Sequence, residues 1–116
     1  MDADDFRRCA LELPQAEEKS HFEKPDFRVK NKIFGSLPDD TRGVVKLAPD
    51  QQQMLTEAEP KIFSAVKGGW GRQGWTNVDL ASADEAALRS ALRMSWLNVA
   101  PATLRKAFNQ TGGGKA

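Results

Sequence analysis

Apolar residues recur along this chain with two different periods. Phe6, Cys9, Ala10 and Leu13 fall at i, i+3, i+4 and i+7, a spacing that gathers side chains on one face of a helix. Asp2 stands ahead of an acidic first turn, where it can cap the positive end of the helix dipole, and Pro14 ends the pattern. From Lys19 onward the period shortens to that of strands. His21-Phe22, Phe27 and Val29, and Ile33-Phe34 are separated by Pro25 and by Lys30-Asn31-Lys32. Asparagine tolerates the left-handed backbone of a tight hairpin. Strands are therefore predicted near residues 18–23, 26–30 and 32–37, with another at 43–47 after the Pro38-Asp39-Asp40 turn.

Pro49 opens a short helix through Met54, Leu55 and Ala58, and Pro60 closes it. Ile62, Phe63, Ala65 and Val66 form one strand-like run, and Trp75 to Leu80 form a second. Ser82 and Glu85 stand in a capping-box relation ahead of the longest helix, whose inner stripe is Leu88, Ala91, Leu92, Ser95 and Val99. Pro101 starts a last helix with Leu104 and Phe108 facing in. Antiparallel runs of strands with segregated helices imply an α+β fold. Its sheet should have about five to six strands, with helices at the N-terminus, middle and C-terminus. The expected core runs through Phe6, Phe22, Phe27, Phe34, Leu47, Leu88, Leu92 and Phe108. Residues 1–110 are read as a single domain and the tail 111–116, TGGGKA, as disordered.

Charge adds a restriction. The 116 residues carry 17 Lys+Arg against 16 Asp+Glu, a formal charge of +1, so no global field draws the chain to nucleic acid, lipid or an acidic partner. Attraction must be local. The first 20 residues are acidic in excess, whereas residues 24–36, with Lys24, Arg28, Lys30 and Lys32 against Asp26, are basic in excess. The one cysteine, Cys9, excludes an internal disulfide and a Cys-based zinc site, and it suits a reducing cytoplasm. No uninterrupted apolar run approaches the length of a membrane span, and the N-terminus lacks the apolar region of an export signal. No membrane association is expected.

The stretch KGGWGRQGWTNVDL at residues 67–80 places Gly69, Gly71 and Gly74 at the G-x-G-x-x-G spacing of a dinucleotide-binding turn. That chemistry needs a helix starting within the glycines and an acidic residue about 20 positions further on. Here the following residues have strand composition, and Arg89 to Ser95 contains no carboxylate. The stretch is expected to be strand-turn-strand without nucleotide affinity, its loop projecting Trp70 and Arg72.

A catalytic constellation does not emerge. His21 is the only histidine, and Ser20 beside it would point to the opposite face of a strand. Cys9 lies on the apolar helix face, while Glu17-Glu18 and Asp39-Asp40 are adjacent pairs at turns or strand starts. No D-x-D-x-D-G calcium loop is present. A non-enzymatic protein without cofactor or metal is expected. Two hairpins remain, the first carrying Arg28, Lys30 and Lys32, the second Lys67, Trp70 and Arg72. Basic ribbons of this kind can lie along a DNA groove with cations on phosphates. Basic residues on strand edges also block edge-to-edge aggregation, and the two tryptophans can equally be packing residues.

The order of motifs resembles the MmcQ/YjbR family of small bacterial proteins. The resemblance rests on His21-Phe22 to Pro25-Asp26-Phe27-Arg28-Val29, Lys32-Ile33-Phe34, Val44-Val45-Lys46-Leu47, the Gly-Trp stretch with Trp75 to Val78, and Ser95-Trp96 with Leu97-Val99 and Leu104. It covers about residues 4 to 108. Ser95-Trp96 stands where the family often has Ser-Tyr, and Asn31 where its hairpin often has Gly. The resemblance implies a cytoplasmic bacterial protein and DNA binding through paired wing-like hairpins. The expected partner is thus double-stranded DNA, bound by a monomer through Arg28, Lys30, Lys32, Lys67, Trp70 and Arg72. The alternative is a non-catalytic module that binds another protein.

Overall fold

Six strands form one fully antiparallel sheet in the order β1-β2-β3-β4-β6-β5. The computed structural model describes residues 1–21 and 24–110. Its elements are α1 (Ala3–Leu11), β1 (Ala16–His21), β2 (Lys24–Val29), β3 (Lys32–Ser36), β4 (Arg42–Lys46), α2 (Pro49–Ala58), β5 (Phe63–Ala65), α3 (Gly69–Arg72), β6 (Trp75–Asp79), α4 (Glu85–Val99) and α5 (Ala102–Gln110). This is the α+β arrangement the periodicities imply. Phe22 and the tail 111–116 lie outside the described residues.

The first helix begins as its sequence dictates. Asp2 accepts from the Asp5 amide while the Asp5 carboxylate accepts from the Asp2 amide, both at 2.9 Å, so two otherwise unpaired donors are satisfied. The long helix departs from expectation. Its cap is Asp84, which accepts from the Ala87 amide at 2.8 Å, whereas the Ser82 hydroxyl is drawn to Asp79 at 3.1 Å. The helix therefore starts at Glu85 with its carboxylate directed elsewhere, to Arg89.

One sheet face holds the core. Phe6, Phe27, Phe34, Leu47, Leu88 and Leu92 are all buried, and Phe6 meets Phe27 with ring centroids 5.6 Å apart. The helix α1 can lie this close because β4 offers Gly43, where an added Cβ would stand 2.4 Å from the Phe6 ring. Phe108 is half-buried and covers Trp96 at 5.0 Å. Trp96, fully buried, follows Leu88 and Leu92 at helical spacing on the same face of α4, and its indole donates to the Pro14 carbonyl at 3.0 Å. That bond ties α4 to the connection between α1 and β1. The stripe of α4 is buried at Leu88, Ala91, Leu92 and Ser95 but only half-buried at Val99.

Between Phe27 and Arg28 the β2–β3 register slips, Phe27 lying opposite Gly35 and Arg28 opposite Ile33. Phe34 is thereby the extra residue of a bulge. The slip lets Phe34 and Phe27 both enter the core while Asp26, Arg28 and Ile33 stay on the opposite face.

Candidate functional site

Strand direction decides where the two basic turns go. In the order β1-β2-β3-β4-β6-β5 every neighbour is antiparallel, so β2 and β5 run the same way and both end at the same edge of the sheet. The β2–β3 turn and the β5–β6 connection consequently emerge side by side, with only β4 between β3 and β6. At about 4.8 Å per strand, the two hairpin midlines are about 14 Å apart.

The first turn is Lys30-Asn31, with both residues left-handed at φ 49° and 68°. Such a pair closes a two-residue hairpin whose twist matches that of its strands. The Asn31 side-chain oxygen Oδ1 accepts from the Lys19 ammonium at 3.3 Å and from the Arg28 guanidinium at 3.5 Å, which ties the turn to β1 and β2. Lys30 and Lys32 are exposed. Arg28 behaves differently from its neighbours. Its Nε and Nη2 donate to the two carboxylate oxygens of buried Asp26 at 2.8 and 3.1 Å, and this hydrogen bonding raises its pKa above the ordinary arginine value. Its charge is already committed inside the protein.

The second connection contains more structure than the sequence pattern suggests. In place of a plain turn, residues Gly69–Arg72 form a single helical turn. Close packing requires its glycines: an added Cβ at Gly71 would stand 1.9 Å from the Val66 carbonyl oxygen, and one at Gly74, where φ is +102°, 1.8 Å from that of Leu47. From α2, the Gln52 amide nitrogen donates to the carbonyls of Gly71 and Trp75 and to the Thr76 hydroxyl at 3.0–3.2 Å. Gly71 and Gly74 thus serve backbone contact, whereas a Cβ added at Gly69 would meet only the Arg72 side chain at 3.7 Å. The backbone contact fixes a platform from which Trp70, 63% exposed, projects with Lys67 and Arg72 exposed beside it. Among the described residues, Lys30, Lys32, Lys67 and Arg72 have no carboxylate within ion-pair distance.

The sheet face away from the core forms a groove of about 510 Å³. Its floor is Ile33 and Val44, and Trp70 and Trp75 wall the end near the basic turns. The two indoles meet edge to face with centroids 6.4 Å apart and planes at 67°. Lys46, paired with Trp75 across β4 and β6, places its ammonium 5.0 Å from that ring and donates to the Gln73 carbonyl at 2.6 Å. At the far end Lys24 and Arg42 line the groove, and Arg42 is shared between Asn77 at 3.2 Å and Asp39 at 3.8 Å. Sequence reading missed this groove. The run Gly43-Val44-Val45 is apolar in both phases and hides which face is open, and the Lys46–Trp75 pairing is a matter of register between distant segments.

Other candidate chemistry is dispersed. Cys9 is buried, and burial pushes its thiol pKa up, away from a reactive thiolate. Arg8, Glu12, Glu85 and Arg89 form an ion-pair network that joins α1 to α4 on the helical side. Among the described residues no group of three His, Cys, Asp or Glu is placed to hold a metal ion, and no helix is long and apolar enough to cross a membrane.

A family model described as YjbR matches residues 11–98. The crystal structure of the Deinococcus radiodurans protein DR2400, whose family-model domain is DUF419, is similar at 26% identity and a TM-score of 0.69, over 95% of this chain and 86% of that one. No curated protein matches.

Proposed function

This chain belongs to the YjbR family, and from that premise and the layout of its sheet we propose that it binds DNA, with Lys30, Lys32, Lys67 and Arg72 on the phosphates. The observation that carries the reading is the common exit of the two basic turns. A pair of turns about 14 Å apart is matched to a major groove about 12 Å wide, so each turn meets the phosphates of one strand. Arg28 is left out of the contact set because it neutralises Asp26. Such contacts position a protein without reading sequence, and weak selectivity is expected. With DNA as partner, the reading we propose has the protein act in the bacterial cytoplasm.

Fluorescence anisotropy with a random duplex tests this at several salt concentrations. Each engaged cation contributes about −0.9 to the slope of log affinity against log salt. Lys30→Ala combined with Lys67→Ala, one from each turn, should make the slope shallower by roughly two units. Absence of binding at low salt contradicts the reading and favours a protein partner for the groove, and an unchanged slope moves the contact away from the turns.

A further inference from the structure

The groove on the open sheet face gives the DNA reading a more specific form. Keeping the phosphate contacts of that reading, we infer that the groove adds a second mode of binding and takes an unpaired base of single-stranded DNA, stacked on Trp70 above the Ile33–Val44 floor, with the adjoining phosphates on the turn that carries Lys67 and Arg72.

Three observations lead to this occupant. The first is chemical contrast within one continuous surface. The groove is lined by Ile33, Val44, Trp70 and Trp75, with its one carboxylate, Asp26, already paired with Arg28, whereas Lys67 and Arg72, exposed and close to Trp70 along the chain, have no carboxylate in ion-pair reach among the described residues. A planar apolar group attached to an anionic backbone matches both halves. The second is the state of the two indoles. Trp75 is occupied, by Lys46 at 5.0 Å and by the edge contact with Trp70, while Trp70 remains 63% exposed. Gln52 and Gly71 hold the backbone beneath it, so a rigid ring is offered to the ligand with little ordering cost. The third is size. A volume of about 510 Å³ falls within the range of roughly 300–1,000 Å³ that holds small planar ligands, and a base paired inside a duplex cannot enter it.

Stacking on an aromatic ring tolerates any base, so a preference for single strands over duplex should appear without strong sequence preference. The experiment measures anisotropy of a short oligothymidine and of a duplex of equal length, with tryptophan fluorescence recorded in parallel. Wild-type protein should bind the single strand more tightly and show quenching on binding. In Trp70→Ala the ratio of single-strand to duplex affinity should fall about ten-fold to a hundred-fold, with most of the quenching lost. Ile33→Lys provides an independent check, because it adds a cation to the floor. Charge attraction alone would strengthen single-strand binding, whereas a stacked base requires it to weaken, with the fold verified by the unchanged far-ultraviolet dichroism. Equal wild-type affinity for both DNAs, or an unaltered ratio in Trp70→Ala, overturns the inference and leaves DNA binding standing. No binding of either DNA removes both. An oligouridine that outcompetes oligothymidine would replace DNA by RNA as the occupant and contradict the assignment.

Discussion

Arg28 and Asp26 sit two residues apart on one face of β2, joined by a two-pronged contact of 2.8 and 3.1 Å, with the Asp26 side chain only 7% exposed. A buried carboxylate left without its partner is costly. Arg28→Ala should therefore lower the thermal unfolding midpoint. Arg28→Lys should recover only part of the loss, since an ammonium cannot reproduce the planar fork. The salt slope of DNA binding should remain that of the wild type. An unchanged midpoint for Arg28→Ala would show that Asp26 is satisfied without it.

The Lys30 backbone is left-handed at φ 49°, a conformation that costs an ordinary L-residue roughly 1–2 kcal/mol and glycine little. Lys30→Gly should consequently stabilise the fold by about 1 kcal/mol, seen as a higher thermal midpoint. The same change removes a phosphate contact, so DNA affinity at low salt should drop while stability rises. Loss of both together would indicate that Lys30 supports the turn through its side chain.

Much of this fold was legible because its punctuation is chemical. Pro14, Pro49 and Pro60 bound the helices, and Asn31 marks a hairpin that the structure places at Lys30-Asn31. The strand period also puts Asp26 and Arg28 on one face, a signal of their pairing that listing basic residues alone passes over. What remained hidden depends on contacts between distant segments. The position of β4 beside β6, with β5 outermost, is a pairing between segments distant in the chain and not a matter of any local pattern. That order fixes which turns are neighbours, so the list of basic residues in the sequence carries no information on whether they share one side of the sheet. The helical turn at Gly69–Arg72 escaped notice because three glycines in six positions disfavour a helix, and its packing against Val66 and Gln52 overrides that preference.

The ion-pair network between α1 and α4 predicts an acid response. Hydrogen bonding to Arg89 holds Glu12 below its ordinary pKa of 4.5, and the hydrogen bond donated by the Asp2 backbone amide, with that from Arg8, does the same for Asp5. Groups with a lowered folded-state pKa contribute stability that is complete above the unfolded value and is lost as pH falls through the folded one. Denaturant midpoints should thus decline from about pH 5 to about pH 3. Glu12→Gln should lower the midpoint at neutral pH, where the ionised Glu12 contributes, and converge with the wild type in acid, so that the decline is flatter. A decline of identical steepness in the variant would remove Glu12 from the account.

The central claim, that the two basic turns and the open sheet face between them form one DNA-contacting surface, is tested most directly by an amide NMR titration with DNA. Shifts should gather at Lys30, Asn31 and Lys32, at Lys67 to Arg72, and at Val44 and Trp75 on the sheet, with the Trp70 indole signal among the most affected. The exposed helical side around Arg8 and Arg89 should stay still. Shifts concentrated on α1 and α4, or spread evenly over the surface without saturation, would contradict it.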